Sequence, residues 1–258
     1  MNLHYPIALL AISGIYSHAA LNSIDFDYKY EMDVAPSTQD LDSNSTDDFF
    51  AGNAGTAGAE LNNVTYNGGI GSFKDDNTPG NSSVIRADFT NSIWRNMFLS
   101  DLTWTAEARI QIVDDGSFPE GSNGTLVISG GIAGYSPFAR VYKDRITFSN
   151  GATDVTYLNG TDFTSKFFDI RIAQDADGEG WLWVDGVLIA QDQAVRTGLS
   201  GGYANGFFIG GESFSSSVNG AWNIDYLRLD TDFQQVPEPT STSLLGLASL
   251  SLLLRRKR

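Results

Sequence analysis

The sequence predicts an all-β protein built as an antiparallel two-sheet sandwich, and three observations carry that prediction. Apolar and polar residues alternate with period two in run after run, with little helical patterning. Turn-forming dipeptides and acidic glycine loops separate those runs. Each run is apolar on one face only, which is how a sheet with one buried side reads.

The elements follow in chain order. Short strands are expected over 24–30, 60–66 and 83–89, with irregular, glycine-rich loops over 47–58 and 67–83. The first long strand covers 102–113 (LTWTAEARIQIV). Trp104, Ala106, Ala108, Ile110 and Ile112 share its core face, and Thr105, Glu107, Arg109 and Gln111 take the other. Strands over 125–132, 138–143 and 145–149 come next, the last two joined by a tight reversal at Lys143-Asp144-Arg145. In 166–174 (KFFDIRIAQ), Phe168, Ile170 and Ile172 face the core while Asp169 and Arg171 face water. The segment Asp175-Ala176-Asp177-Gly178-Glu179-Gly180 is a hairpin loop. Asp185-Gly186 interrupts 181–191 and predicts two short strands, 181–184 and 187–191, joined by a two-residue turn. Trp181 and Trp183 fall on one face and are expected in the core. The last strands are 206–210 and 221–229, and Trp222, near the start of the latter, is expected to be exposed.

Both ends of the chain carry addresses. Residues 6–15 (PIALLAISGI) are apolar and are followed by small residues at Ser17-His18-Ala19-Ala20, so 1–20 reads as a signal peptide. At the other end, Pro237-Glu238-Pro239 precedes a Ser/Thr spacer, an apolar stretch over 244–254, and Arg255-Arg256-Lys257-Arg258. Eleven residues span only about 16 Å as a helix, against the roughly 20 residues that a full crossing needs. The basic cluster favours the cytoplasmic side. The order of parts resembles the PEP-CTERM sorting signal of Gram-negative bacteria. That resemblance implies export, dealings with export and sorting machinery, transient inner-membrane association through the tail, and a destination at the outer surface or in the extracellular matrix. The domain reading is therefore 1–20 signal peptide, 21–232 sandwich, and 233–258 linker and sorting tail.

Composition narrows the chemistry. There is no cysteine, and His4 and His18, both in the expected signal peptide, are the only histidines. The mature body thus lacks imidazole and thiol, which removes Ser-His-Asp and Cys-His nucleophiles and ordinary zinc sites. Its stability must come from a core rather than from disulfides. The formal net charge is −15, which repels nucleic acid and anionic surfaces.

The segments Phe168-Asp169-Ile170-Arg171-Ile172-Ala173, Trp181-Leu182-Trp183-Val184-Asp185-Gly186, Gly206-Phe207-Phe208-Ile209-Gly210 and Asn223-Ile224-Asp225-Tyr226-Leu227-Arg228-Leu229 together resemble the concanavalin A-like jelly roll, over roughly residues 100 to 232. The likeness is to its laminin G-like and glucanase-related members. It implies a lectin-like domain that binds a polysaccharide or surface glycan. The alternatives are a structural surface protein with no small ligand, or a laminarinase-like hydrolase. The Glu-x-Asp-x-x-Glu strand of such hydrolases, whose paired carboxyls a retaining mechanism needs, is not begun by Glu31, Glu60, Glu107, Glu120, Glu179 or Glu212, so no catalytic residue is assigned. The resemblance further implies a structural Ca²⁺ held by Asp225, with Asp25 and Asp27 of the first strand nearby. Asp40–Asp47 and Asp175–Glu179 are weaker oxygen-ligand candidates. The stacking candidates for a sugar are Trp222, Tyr203 and Trp94.

Overall fold

The computed structural model describes residues 25–35, 50–51, 64–76, 84–87, 103–114, 126–131, 136–197, 206–211, 219–230 and 232–234. Among these, every regular element is a strand. They are β1 Tyr28–Tyr30, β2 Phe50–Ala51, β3 Val64–Asn67, β4 Ile70–Asp76, β5 Val84–Ala87, β6 Trp104–Asp114, β7 Leu126–Gly131, β8 Phe138–Val141, β9 Ile146–Asn150, β10 Thr153–Tyr157, β11 Phe168–Gln174, β12 Glu179–Val184, β13 Val187–Ala194, β14 Gly206–Gly210 and β15 Asn219–Asp230.

These strands form two antiparallel sheets. One is ordered β13-β12-β11-β6-β15-β4-β3, with β1 also pairing with β15. The other is ordered β10-β9-β8-β7-β14-β5-β2. The core fills the space between them, with Trp104, Ile110, Ile112, Phe148, Phe168, Ile172, Phe207, Trp222 and Ile224 among its buried members. One-faced alternation on both sheets leaves this packing as the way to bury the apolar faces together. The all-β, two-sheet prediction therefore holds.

The turn chemistry holds as well. Asp185 and Gly186 have φ of 48° and 76° and join β12 to β13, as an Asp-Gly two-residue hairpin requires. Tyr142 N donates to Arg145 O at 2.9 Å and closes the reversal between β8 and β9.

Three strands overturn the expected loops or were not foreseen. The segment 47–58 was expected to be irregular, yet Phe50–Ala51 pairs with β5 as β2. The segment 67–83 was expected to be irregular, yet it contains β4, which forms a hairpin with β3 through Gly68 and Gly69 at φ of 62° and 79°. The glycine that hides β4 is also what lets it pack. A Cβ on Gly71 would sit 2.7 Å from the Phe73 ring and 3.3 Å from Met32 Sδ. The edge strand β10 is mostly exposed, so it lacks the buried face that makes a strand legible.

Strand β15 changes phase midway. Its pairing with β6 shifts between Ile224 and Tyr226, a β-bulge at Asp225. Before the bulge Trp222 and Ile224 face the core, and after it Leu227 and Leu229 do. The bulge places Asp225 and Tyr226 on the outer side of the sheet, where they meet groups from β6 and β11.

Candidate functional site

The outer face of the eight-stranded sheet is a ladder of four polar rungs. Register sets each one. The first is Ala173, Thr105 and Asp230 of β11, β6 and β15, and the second is Arg171, Glu107 and Arg228. The third is Asp169 and Arg109 with Tyr226 and the bulged Asp225. The fourth is Gln111 and Asn223, extended to Ser72 on β4.

The first two rungs are sealed. Trp181 and Trp183, opposite Ala173 and Arg171 on β12, stack at 5.8 Å between ring centres. Phe233 lies against both, at 5.2 and 6.2 Å. The chain just beyond β15 is tied down beside them. Thr105 Oγ1 donates to Asp232 O at 2.9 Å and accepts from Gln234 N at 2.8 Å. Residues assigned from sequence to the linker are thus packed on the sheet. The two tryptophans do share one face, as expected, but it is the outer one. Leu182 and Val184 take the core positions of β12 instead.

The second rung is a buried ion pair. Arg171 Nε and Nη2 both donate to Glu107 Oε2, at 3.1 and 2.6 Å. Tyr226 Oη donates to Glu107 Oε1 at 3.0 Å and also lies 2.9 Å from Asp169 Oδ1. The Phe26 ring, 5.3 Å from the Arg171 guanidinium, covers the pair. Both side chains are 0% exposed, which corrects the expectation that Arg171 faces water. Burial raises the Glu107 pKa, against the opposing pull of Arg171 and Tyr226. Burial, followed by the neighbouring carboxylates Glu107 and Asp169, also raises the Tyr226 hydroxyl far above its usual range.

Apart from Tyr226, which is buried, the third and fourth rungs are partly open. Arg109 bridges Asp225 at 3.1 Å and Asp169 at 3.5 Å, with side-chain exposures of 41% for Arg109 and 42% for Asp225. Ser72 Oγ donates to Asn223 Oδ1 at 2.8 Å, and Asn223 Nδ2 donates to Gln111 Oε1 at 3.2 Å. Gln111 Nε2 donates to Thr164 O at 2.9 Å. Each amide keeps unused donor or acceptor capacity. Phe167 flanks Arg109, its ring centre 6.0 Å from the guanidinium carbon.

The residues singled out from sequence fare unevenly. Trp222 is fully buried and stacks on Phe73 at 6.3 Å with an interplanar angle of 3°. Its expected exposure was wrong because β15 begins at Asn219, two residues before the predicted start at Ala221, and Trp222 pairs with Phe73 and Ile112. Trp94, Tyr203, the 40–47 loop and both terminal signals lie outside the described residues.

Asp25, Asp27 and Asp225 do not assemble into a calcium ligand set. Tyr28 pairs with Leu229 and Tyr30 with Leu227, so Asp27 runs toward Asp230 and Asp225 falls beyond the other end of β1. Asp25 is held by Lys29 at 2.8 Å, which lowers its pKa. Among the described residues, the carboxylates that converge are Asp175, Glu179 and Asp192. Asp175 already accepts from Asp177 N, Glu179 N and Trp181 Nε1, which accounts for it as a hairpin residue. Sequence reasoning missed Asn223, Ser72 and the gradient from sealed to open, because those depend on which strands neighbour β15.

Residues 235–258 match the PEP-CTERM protein-sorting motif, so the chain is an exported protein sorted to the cell envelope. Among curated proteins, no sequence matches this chain. Solved structures are similar to it to different degrees. A carbohydrate esterase of the Shiga toxin-encoding bacteriophage phi24B is 9% identical with a TM-score of 0.50, covering 81% of this chain and 99% of that one. A Trypanosoma rangeli sialidase in complex with sialic acid is 15% identical with a TM-score of 0.48, covering 73% of this chain. This chain spans 31% of that sialidase's length. The binding domain of botulinum neurotoxin DC, in complex with SialylT, is 12% identical with a TM-score of 0.47, covering 81% of this chain and 48% of that one. At 9% identity the likeness to the phage esterase is one of fold.

Proposed function

We propose that the sandwich is a non-catalytic, concanavalin A-like carbohydrate-binding module of an envelope-sorted protein, displayed at the outer surface or in the extracellular matrix. The observation that supports this reading is the open half of the outer ladder. There Arg109, Gln111, Asn223 and Ser72 present planar or small hydrogen-bonding groups across three adjacent strands. Sugars are recognised by such groups, fixed in place by their neighbours and set beside an apolar ring, a part that Phe167 would play here. The carboxylates are engaged otherwise: Glu107 by Arg171, and Asp169 and Asp225 by Arg109. This argues for binding over hydrolysis.

A glycan array with the purified protein tests the proposal. The expected result is a saturable signal on a small set of related glycans, lost in an Asn223→Ala/Gln111→Ala variant. The burial of Trp222 favours the second reading, a structural surface protein without a small ligand, because it removes one of the expected stacking platforms. An empty array would decide for that reading.

A further inference from the structure

A cavity of about 250 Å³ opens at the edge of the sandwich, between the 158–168 segment and the β12–β13 hairpin. Its walls are Leu158, Phe163, Phe168, Val184 and Ile189, and all the polar side chains of its lining come from Thr161, Asp162, Lys166 and Asp185. Phe163 and Phe168 are core residues whose rings lie 4.5 Å apart, so the pocket borders the hydrophobic core itself.

The cavity is preformed. Gly160 N donates to Asp144 O at 2.8 Å, and Phe163 N donates to Lys143 O at 2.9 Å. Ile112 N donates to Phe163 O at 3.1 Å, and Asp162 Oδ1 accepts from both Thr164 N and Thr164 Oγ1. On the opposite wall, Asp185 Oδ1 accepts from Asp169 N at 3.0 Å. A pocket held open by its own backbone spares a ligand the cost of ordering it.

Size and charge define the occupant. The volume lies below the roughly 300–1,000 Å³ of drug-sized sites, which suits one six-membered ring with a short substituent. The mouth carries two carboxylates, Asp162 and Asp185, against one ammonium, Lys166, which sits 3.7 Å from Asp185 and is 70% exposed. Hydrogen bonds from Thr164 hold the Asp162 pKa below its ordinary value, so this carboxylate stays ionised. The mouth is therefore net negative, within a chain of net charge −15.

From this geometry we infer a second binding site, distinct from the outer ladder, that takes a compact apolar ring bearing a cationic amine. The ring fills the space beside Phe163 and Phe168, and the amine pairs with the mouth carboxylates.

Three isosteric probes test this by calorimetric titration of the whole protein: 2-phenylethylamine, 2-phenylethanol and phenylacetate. The expected result is saturable one-to-one binding with the amine tightest and the carboxylate weakest. Lys166→Gln should tighten the amine about two- to fivefold, the scale of one exposed charge pair. Val187→Trp, at an exposed lining position, and Ile189→Phe should each fill the cavity and abolish binding, with melting temperature checking that each variant folds. Absence of saturable amine binding, phenylacetate binding tightest, or equal amine affinity in both folded filled variants would overturn the assignment.

Discussion

The two halves of one sheet face invite comparison. From Thr105 to Gln111, β6 presents alternate polar side chains outward at regular spacing, yet Glu107 is buried while Arg109, two residues on, is partly open. The alternation pattern does not differ between them; what differs is the chain laid over the top. Phe26 from the segment before β1 and Phe233 from the segment after β15 both fold back over the first two rungs. Segments flanking the strands thus turn half of a solvent face into a second, smaller core, and leave the other half partly exposed. A polar outward-facing residue in a strand is a statement about the sheet, and whether it sees water is a statement about the neighbouring chain.

The largest effect should come from splitting the sealed pair. Arg171→Leu strips Glu107 Oε2 of both its guanidinium donors and leaves Arg228, 3.7 Å from Oε1, as the remaining nearby cation. It should cost about 3 kcal/mol, the low end for a broken buried pair, read by chemical denaturation. Replacing both, as Glu107→Leu/Arg171→Met, should recover most of that loss, since an apolar pair of similar volume escapes the desolvation cost. If the double variant is as unstable as the single one, the cover over this half is not apolar enough to behave as core. Phe233→Ala should cost less, about 1–2 kcal/mol of apolar burial, and should expose Trp181 and Trp183 to a fluorescence quencher.

Acidity distinguishes the halves next. Burial is the leading cause of the raised pKa values of Glu107 and Asp230, both in the sealed half. A carboxyl whose folded pKa exceeds its unfolded one binds its proton more tightly when folded. Its stabilising contribution is complete below the unfolded pKa and fades as pH rises through the folded value. The melting temperature should therefore rise when pH is lowered from 7 toward 5, and Glu107→Gln should blunt that slope. A melting temperature that falls over this interval would show that the pair is held ionised by Arg171. The smallest stability effect belongs to the open half, where Asn223→Ala or Gln111→Ala should stay within about 0.5 kcal/mol of the parent. Asp225→Asn should leave any calcium-dependent shift of the melting temperature unchanged, because Asp25 and Asp27 lie off one end of β1 and Asp225 off the other.

Much of the fold was legible because period-two alternation and turn chemistry act locally. Asp185-Gly186 and the 206–210 strand follow directly from residue type. The strand at Ile70–Asp76 was not legible, because Gly71 removes a side chain from the pattern in order to clear the Phe73 ring. Trp222 misled because a strand's start is poorly marked, and two residues of extra pairing, Asn219 and Gly220, carried it into the core. The site was harder still. Glu107 and Arg171 are 64 residues apart in sequence, and only the pairing of β6 with β11 makes them partners. The sorting tail was readable in full, since its order of parts is itself the signal that is recognised.

The most direct test of the division of labour is titration of one glycan, chosen as the strongest on the array, against three proteins under identical conditions. The parent and Phe233→Ala should bind alike, and Asn223→Ala/Gln111→Ala should fail to bind while melting at the parental temperature. Undiminished binding by the Asn223→Ala/Gln111→Ala protein, or binding abolished by Phe233→Ala alone, would contradict the placement of recognition on the open rungs.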